Sequence, residues 1–236
     1  TAAEGPACSY YFLLNFVDDI NLDAGPAPVT GLPWGNGFAA PGPNPDQSQG
    51  FVGMVAFNDP FAQTAYQVYR VPDQDGALVN PAELGPGSNR FIPLGAPDNS
   101  ITPQPGDSLL SFRVRLNDFP NFLRQDAPGG PQRIPGFLQF NFVNTDSFPQ
   151  DPNNPNALKD WDSLGNANGE PLGGKGIPGI VRNVPLNVTG QTYDNNSILS
   201  VSPNSIEAAG DVYDKQNNPV NIPDLDIVEW SVQISS

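Results

Sequence analysis

Histidine is absent from this chain of 236 residues, and cysteine occurs once, at Cys8. Without an imidazole base, the Ser-His-Asp and Cys-His routes to an activated nucleophile are closed in their usual form. Structural zinc needs several Cys or His ligands, and haem and iron–sulfur ligation draw on the same residue types, so those centres are excluded too. Carboxylate chemistry and hard cations held by oxygen atoms are what the composition leaves.

Positive charge is nearly as scarce. Ten Lys and Arg stand against 25 Asp and Glu, a formal net charge of −15, and none of the ten precedes Arg70. Such a chain repels phosphate backbones and anionic headgroups, which makes nucleic acid and membrane surfaces poor partners. Long apolar runs are missing as well: the best, Tyr10 to Val17, is eight residues long and contains Asn15. A membrane-spanning helix needs roughly 20. The only methionine is Met54 and the sequence opens at Thr1, from which we expect an initiator and signal peptide to have been removed and the protein to be secreted, extracellular or at the cell surface.

What is abundant is punctuation. The chain has 24 Gly and 28 Pro, a composition that breaks long helices and implies short strands joined by turns. Period-two alternation marks the strands. Leu110, Phe112, Val114 and Leu116 oppose Ser111, Arg113 and Arg115. Leu138, Phe140 and Phe142 oppose Gln139 and Asn141, and Val228, Trp230, Val232 and Ile234 oppose Glu229, Ser231 and Gln233. Phe51 to Phe57 and Thr64 to Val71 read as strands joined across Asn58-Asp59-Pro60, with Asp75-Gly76 suited to a tight turn. Further strands are expected at Ser9 to Val17, Arg90 to Leu94, Ile177 to Val188, Ser197 to Val201 and Asp211 to Tyr213. Helix is confined to two turns at Asn156 to Leu164 and single turns at Pro81 to Leu84 or Phe119 to Gln125. The expectation is an all-β protein: one antiparallel β-sandwich domain over residues 1–236, of which the jelly roll is one form, with about ten strands and long Pro/Gly-rich loops.

Candidate sites follow from residue type and spacing. Asp160, Asp162, Asn166, Asn168 and Glu170 offer oxygen ligands at alternate positions, with Gly165 at the sixth place of a calcium loop. Leu164 and Pro171 depart from the EF-hand pattern, so an irregular calcium site is the form it would take. Asp224 and Asp226 share a strand face, and Asp18, Asp19 and Asp23 lie equally close; like charges so placed call for a cation or a basic group. Gly169 to Lys175 matches a phosphate-binding loop, but Gly176 stands where Ser or Thr should hold magnesium and Pro178 forbids the helix, so a turn is the better reading. No Asp-Thr/Ser-Gly signature occurs, and nothing singles out a carboxylate pair for glycoside hydrolysis. We expect no enzyme. Asn187-Val188-Thr189 and Asn195-Asn196-Ser197 are glycosylation sequons.

Tyr10, Tyr11, Phe12, Leu13, Leu14, Phe16 and Val17 are apolar on both faces of one predicted strand. That strand is either central in its own sandwich or given to the open edge of a neighbouring copy, with residues 1–23 as the exchanging segment. On these grounds the chain is expected to be an extracellular structural subunit that polymerises with copies of itself into a filament, sheath or surface layer, with calcium as a stabilising ion. The alternative is a non-catalytic module that binds extracellular polysaccharide through Trp34 or Tyr10.

Overall fold

The computed structural model describes residues 8–20, 25–26, 28–29, 38–39, 50–58, 64–71, 92–103, 109–119, 122–146, 160–164, 181–194, 212–213, 219–220 and 226–235. Seventeen strands occur among them. In the first half of the chain they are β1 (Ser9–Val17), β2 (Pro28–Val29), β3 (Phe38–Ala39), β4 (Gly53–Phe57), β5 (Tyr66–Arg70), β6 (Ile92–Gly95), β7 (Asn99–Ile101) and β8 (Ser111–Arg113). Then follow β9 (Arg124–Gln125), β10 (Gln132–Arg133), β11 (Phe137–Thr145), β12 (Trp161–Ser163) and β13 (Arg182–Pro185). The last four are β14 (Thr192–Asp194), β15 (Val212–Tyr213), β16 (Pro219–Val220) and β17 (Ser231–Gln233). The protein is all-β and its ladders are antiparallel, as the Gly/Pro punctuation and the alternation require. The strands are more numerous and shorter than expected.

Nine strands form the main sheet, in the order β16-β15-β12-β11-β1-β4-β5-β6, with β13 also paired to β11. β1 lies in the middle. Its whole length pairs with β11, from Ser9 opposite Thr145 to Val17 opposite Phe137, and Tyr10 to Leu14 pair with β4 on the other side. Within this single chain the segment takes the internal position, with β1 paired on both sides in its own sheet. The reason is its double-sided apolarity, since a strand covered on both faces is most stable between two partners. Cys8, just before it, is buried, as expected of a small apolar side chain. Asn58, at φ 54°, turns the chain between β4 and β5; its Nδ2 donates to Cys8 O at 2.7 Å and its own carbonyl accepts from Ser9 Oγ at 2.9 Å.

On one face of this sheet Phe12, Leu14, Phe16, Val55, Leu138 and Phe140 form the main core. Phe12 is its centre, with ring centroids of Phe142, Phe140 and Phe112 at 5.0, 5.4 and 5.6 Å. Burying each such ring is worth roughly 1.5–3 kcal/mol. Among the described residues two ribbons, β7-β8 and β14-β17, which share no ladder with each other, pack over this core as a second layer. The first sends in Leu110 and Phe112; the second sends in Tyr193, Trp230, Val232 and Ile234. This arrangement is compatible with the expected sandwich.

The opposite face is covered too. Gln139 and Asn141, expected to face away from the buried set, are themselves buried. Asn15 Nδ2 donates to Gln139 Oε1 at 3.2 Å and Asn141 Nδ2 to Pro26 O at 3.1 Å, while Asn141 Oδ1 accepts from Leu164 N at 3.1 Å. Buried amides survive where each finds partners. Gly25, at φ +60°, lies so close over Gln139 that a Cβ would stand 2.7 Å from Oε1.

Three local expectations are corrected. Trp161 to Ser163, read as part of a helix, is a strand, because Trp161 takes a ladder position opposite Thr145 and Tyr213. The Leu158, Trp161 and Leu164 spacing suits either element, and tertiary pairing decides. The single turn expected at Phe119 to Gln125 is displaced to a 3₁₀ turn at Leu116–Asp118, and Arg124–Gln125 is extended. Val228, assigned inward, is exposed: Ile227 enters the core in its place, and regular alternation starts only at Trp230. Pro81 to Leu84, Ser197 to Val201 and the Asp75-Gly76 turn lie outside the described residues.

Candidate functional site: the cleft between the layers

Because the two ribbons of the second layer are not joined by a ladder among the described residues, the core beneath them opens into a cleft of about 1150 Å³. β8 and β17 flank it. Arg113 Nη2 donates to Ser235 Oγ at 3.0 Å, so the two ribbons touch through side chains at one end. The floor is apolar, with Phe12, Val55 and Phe142 from the main sheet. Adjacent apolar residues explain the mouth. In extended chain only one of each pair Leu109-Leu110 and Ile227-Val228 can face inward. Leu110 and Ile227 do, which leaves Leu109 70% and Val228 56% exposed at the cleft, joined there by Ile134 at 52%.

The charges around the mouth are mixed. Arg115 Nε pairs with Asp98 Oδ2 at 2.9 Å in an exposed ion pair. An opening of this kind, apolar within and flanked by strand edges, suits an apolar or extended partner.

Across the layers, the Tyr66 hydroxyl donates to Ile101 O at 3.0 Å and accepts from Ser111 N at 3.2 Å. Burial pushes its pKa above the ordinary tyrosine value, with the Ser111 N–H acting weakly in the other direction. At the end of β1 a second polar feature forms. Asp18 accepts from Arg133 Nη1 at 2.6 Å and Nη2 at 2.9 Å, from Arg124 Nη1 at 3.1 Å and from Gly136 N at 3.3 Å. Arg133 Nε also donates to Asp126 at 2.9 Å. The hydrogen bonds from Arg133 hold the Asp18 carboxyl below its usual pKa, against a smaller desolvation effect. The repulsion anticipated among Asp18 and its neighbours is thus relieved at Asp18 by the basic groups of Arg133 and Arg124.

Of the expected calcium ligands, Asp160, Asp162 and Asp226 are described; Asn166, Asn168, Glu170 and Asp224 lie outside the described residues. The structure brings two distant acidic segments together: Asp162, fully buried, accepts from Ser163 N at 2.8 Å through Oδ1 and from Ile227 N at 2.7 Å through Oδ2, next to Asp226. Its carboxylate thereby fastens β12 to the approach of β17. Among the described residues no three His, Cys, Asp or Glu gather closely enough to hold a metal ion. Tyr11, Phe12, Leu13, Leu14, Phe16 and Val17 are buried in β1, and Tyr10 is half-buried with its ring 6.0 Å from that of Phe57. Trp34 lies outside the described residues, and no described helix is long and apolar enough to cross a membrane.

Comparison of the chain with protein-family models, with curated proteins and with solved structures yields no match. Sequence reasoning missed the cleft mouth, although the adjacent pairs Leu109-Leu110 and Ile227-Val228 signalled that one member of each would be left outside. It also missed the Asp18–Arg133 pair, which only the approach of β10 to the end of β1 creates.

Proposed function

We propose that the protein is an extracellular structural subunit that assembles with copies of itself into a filament, sheath or surface layer. The observation that carries this reading is the exposure of Leu109, Ile134 and Val228 around the mouth of an apolar cleft whose flanking strands β8 and β17 share no ladder among the described residues. Exposed apolar groups gathered around an opening mark an interaction surface. The edges of the main sheet are poorer contacts, since β6 carries Pro93 and β16 carries Pro219, and proline withholds a ladder donor. Assembly therefore runs through the cleft face, and not through the donation of β1. The composition supports the rest: it lacks histidine, is strongly acidic and has a single buried thiol.

The test is light scattering and electron microscopy of the wild type beside a Leu109→Asp/Val228→Asp variant. Both positions are exposed, so the variant should fold; it should remain monomeric where the wild type forms ordered assemblies. A wild type that stays monomeric at high concentration sinks the reading. Calcium belongs to the proposal as a stabilising ion, supported by the approach of Asp162 to the Asp226 segment.

A further inference from the structure

The turn after β13 presents a glycosylation sequon in accessible form, and we propose that Asn187 carries an N-linked glycan; the inference rests on the export of the protein. Asn187-Val188-Thr189 has the acceptor pattern, with Val188, not proline, in the middle. The pattern alone carries little, since a sequon inside a strand or core is closed to an enzyme. Here Asn187, Val188, Thr189 and Gly190 are all exposed in succession. The turn projects because both its ends are fastened. Leu186 is buried and its N–H donates to Gly136 O at 3.0 Å. Gly190, at φ +81°, donates its N–H to Ile234 O at 2.8 Å and accepts from Gln233 Nε2 at 3.1 Å. The residues between these anchors face solvent, so a bulky polar group can be added without disturbing the core.

The modification is a group transfer. The Asn187 Nδ2 forms a bond to the anomeric carbon of an oligosaccharide carried on a lipid phosphate. The bond from that carbon to the phosphate oxygen breaks, the lipid phosphate departs with the electron pair, and Nδ2 gives up one proton. The Thr189 hydroxyl is the recognition element two residues on.

The test is peptide mapping of protein isolated from its native source. Cleavage before Asp162 and Asp194 separates the Asn187 sequon from the one at Asn195. The 162–193 peptide should carry added hexose or N-acetylhexosamine mass, and enzymatic removal of the glycan should leave Asp at position 187. Thr189→Ala expressed in the same source should lose the added mass while melting at the wild-type temperature. An unmodified 162–193 peptide overturns the proposal. Found in protein collected outside the cell, that result leaves the export reading intact; found in protein that fractionates only with the cytoplasm, it removes both.

Discussion

The Tyr66 hydroxyl bridges Ile101 and Ser111, which face each other in the ladder between β7 and β8. Tyr66 of the main sheet accepts from the Ser111 N–H and donates to the Ile101 carbonyl. A side chain of one layer thus bonds to the backbone of both strands of the other, and this ties the β7-β8 ribbon to the core it covers.

Tyr66→Phe keeps the ring but leaves the Ser111 N–H and the Ile101 carbonyl without that partner. Both bonds are part-buried, so their loss should cost about 0.5–1.5 kcal/mol, which chemical denaturation will show. The pH dependence has a defined sign. Because burial raises the folded-state pKa of Tyr66 above its ordinary value of 10.0, the contribution is complete below that value and is lost as pH rises through the folded pKa. The stability gap between wild type and Tyr66→Phe should therefore narrow above about pH 10. A constant gap up to strongly alkaline pH would show that the hydroxyl does not bridge.

Asp18→Asn removes the charge that Arg133 and Arg124 share. Asp18 is 41% exposed, so solvent screens the pair and the loss at neutral pH should be about 1 kcal/mol or less. The folded-state pKa lies below the ordinary 3.8. Stability from this group is accordingly present above that value and disappears as pH falls through the lower folded one. Unfolding measured between pH 6 and pH 2 should bring wild type and variant together at the acid end; a gap that persists there refutes the ion-pair account.

Gly53→Ala tests the closest packing in the core. A Cβ at this position overlaps the ring of Phe119, which is itself buried. Overpacking of this kind costs about 1–3 kcal/mol. Phe119→Leu in the same chain should recover part of it, visible as a higher melting temperature for the double variant than for Gly53→Ala alone. If Gly53→Ala melts with the wild type, the two residues are not in contact.

Calcium at millimolar concentration should raise the melting temperature, and chelator should lower it; a site filled at 100 times its dissociation constant adds about 2.7 kcal/mol. Magnesium should substitute poorly because it demands stricter geometry. Identical melting under all three conditions removes calcium from the proposed function.

By itself the sequence determined the class of fold and much of the chemistry. Gly and Pro at their density forbid long helices, and period-two alternation is a local property of each strand, so the inward Phe112, Phe140 and Trp230 were legible without knowing their neighbours. The absence of histidine excludes its chemistries wherever the residues lie. Tertiary structure alone decided what depends on partners distant in sequence. Ser9 to Val17 has the same apolarity whether donated or internal, and only the pairing of β1 with β11 and β4 places it in the centre. Gln139 and Asn141 look solvent-facing by alternation; they are buried because the 25–26 segment and Leu164 cover the second face, with Asn141 bonded to Pro26 and Leu164 and Gln139 to Asn15. Asp162, read as a metal ligand from its spacing, accepts from the N–H of Ile227, a residue 65 positions away, and no local pattern announces that partner. Spacing encodes which side of a strand a side chain takes, whereas the group that meets it there is set by how the strands cross.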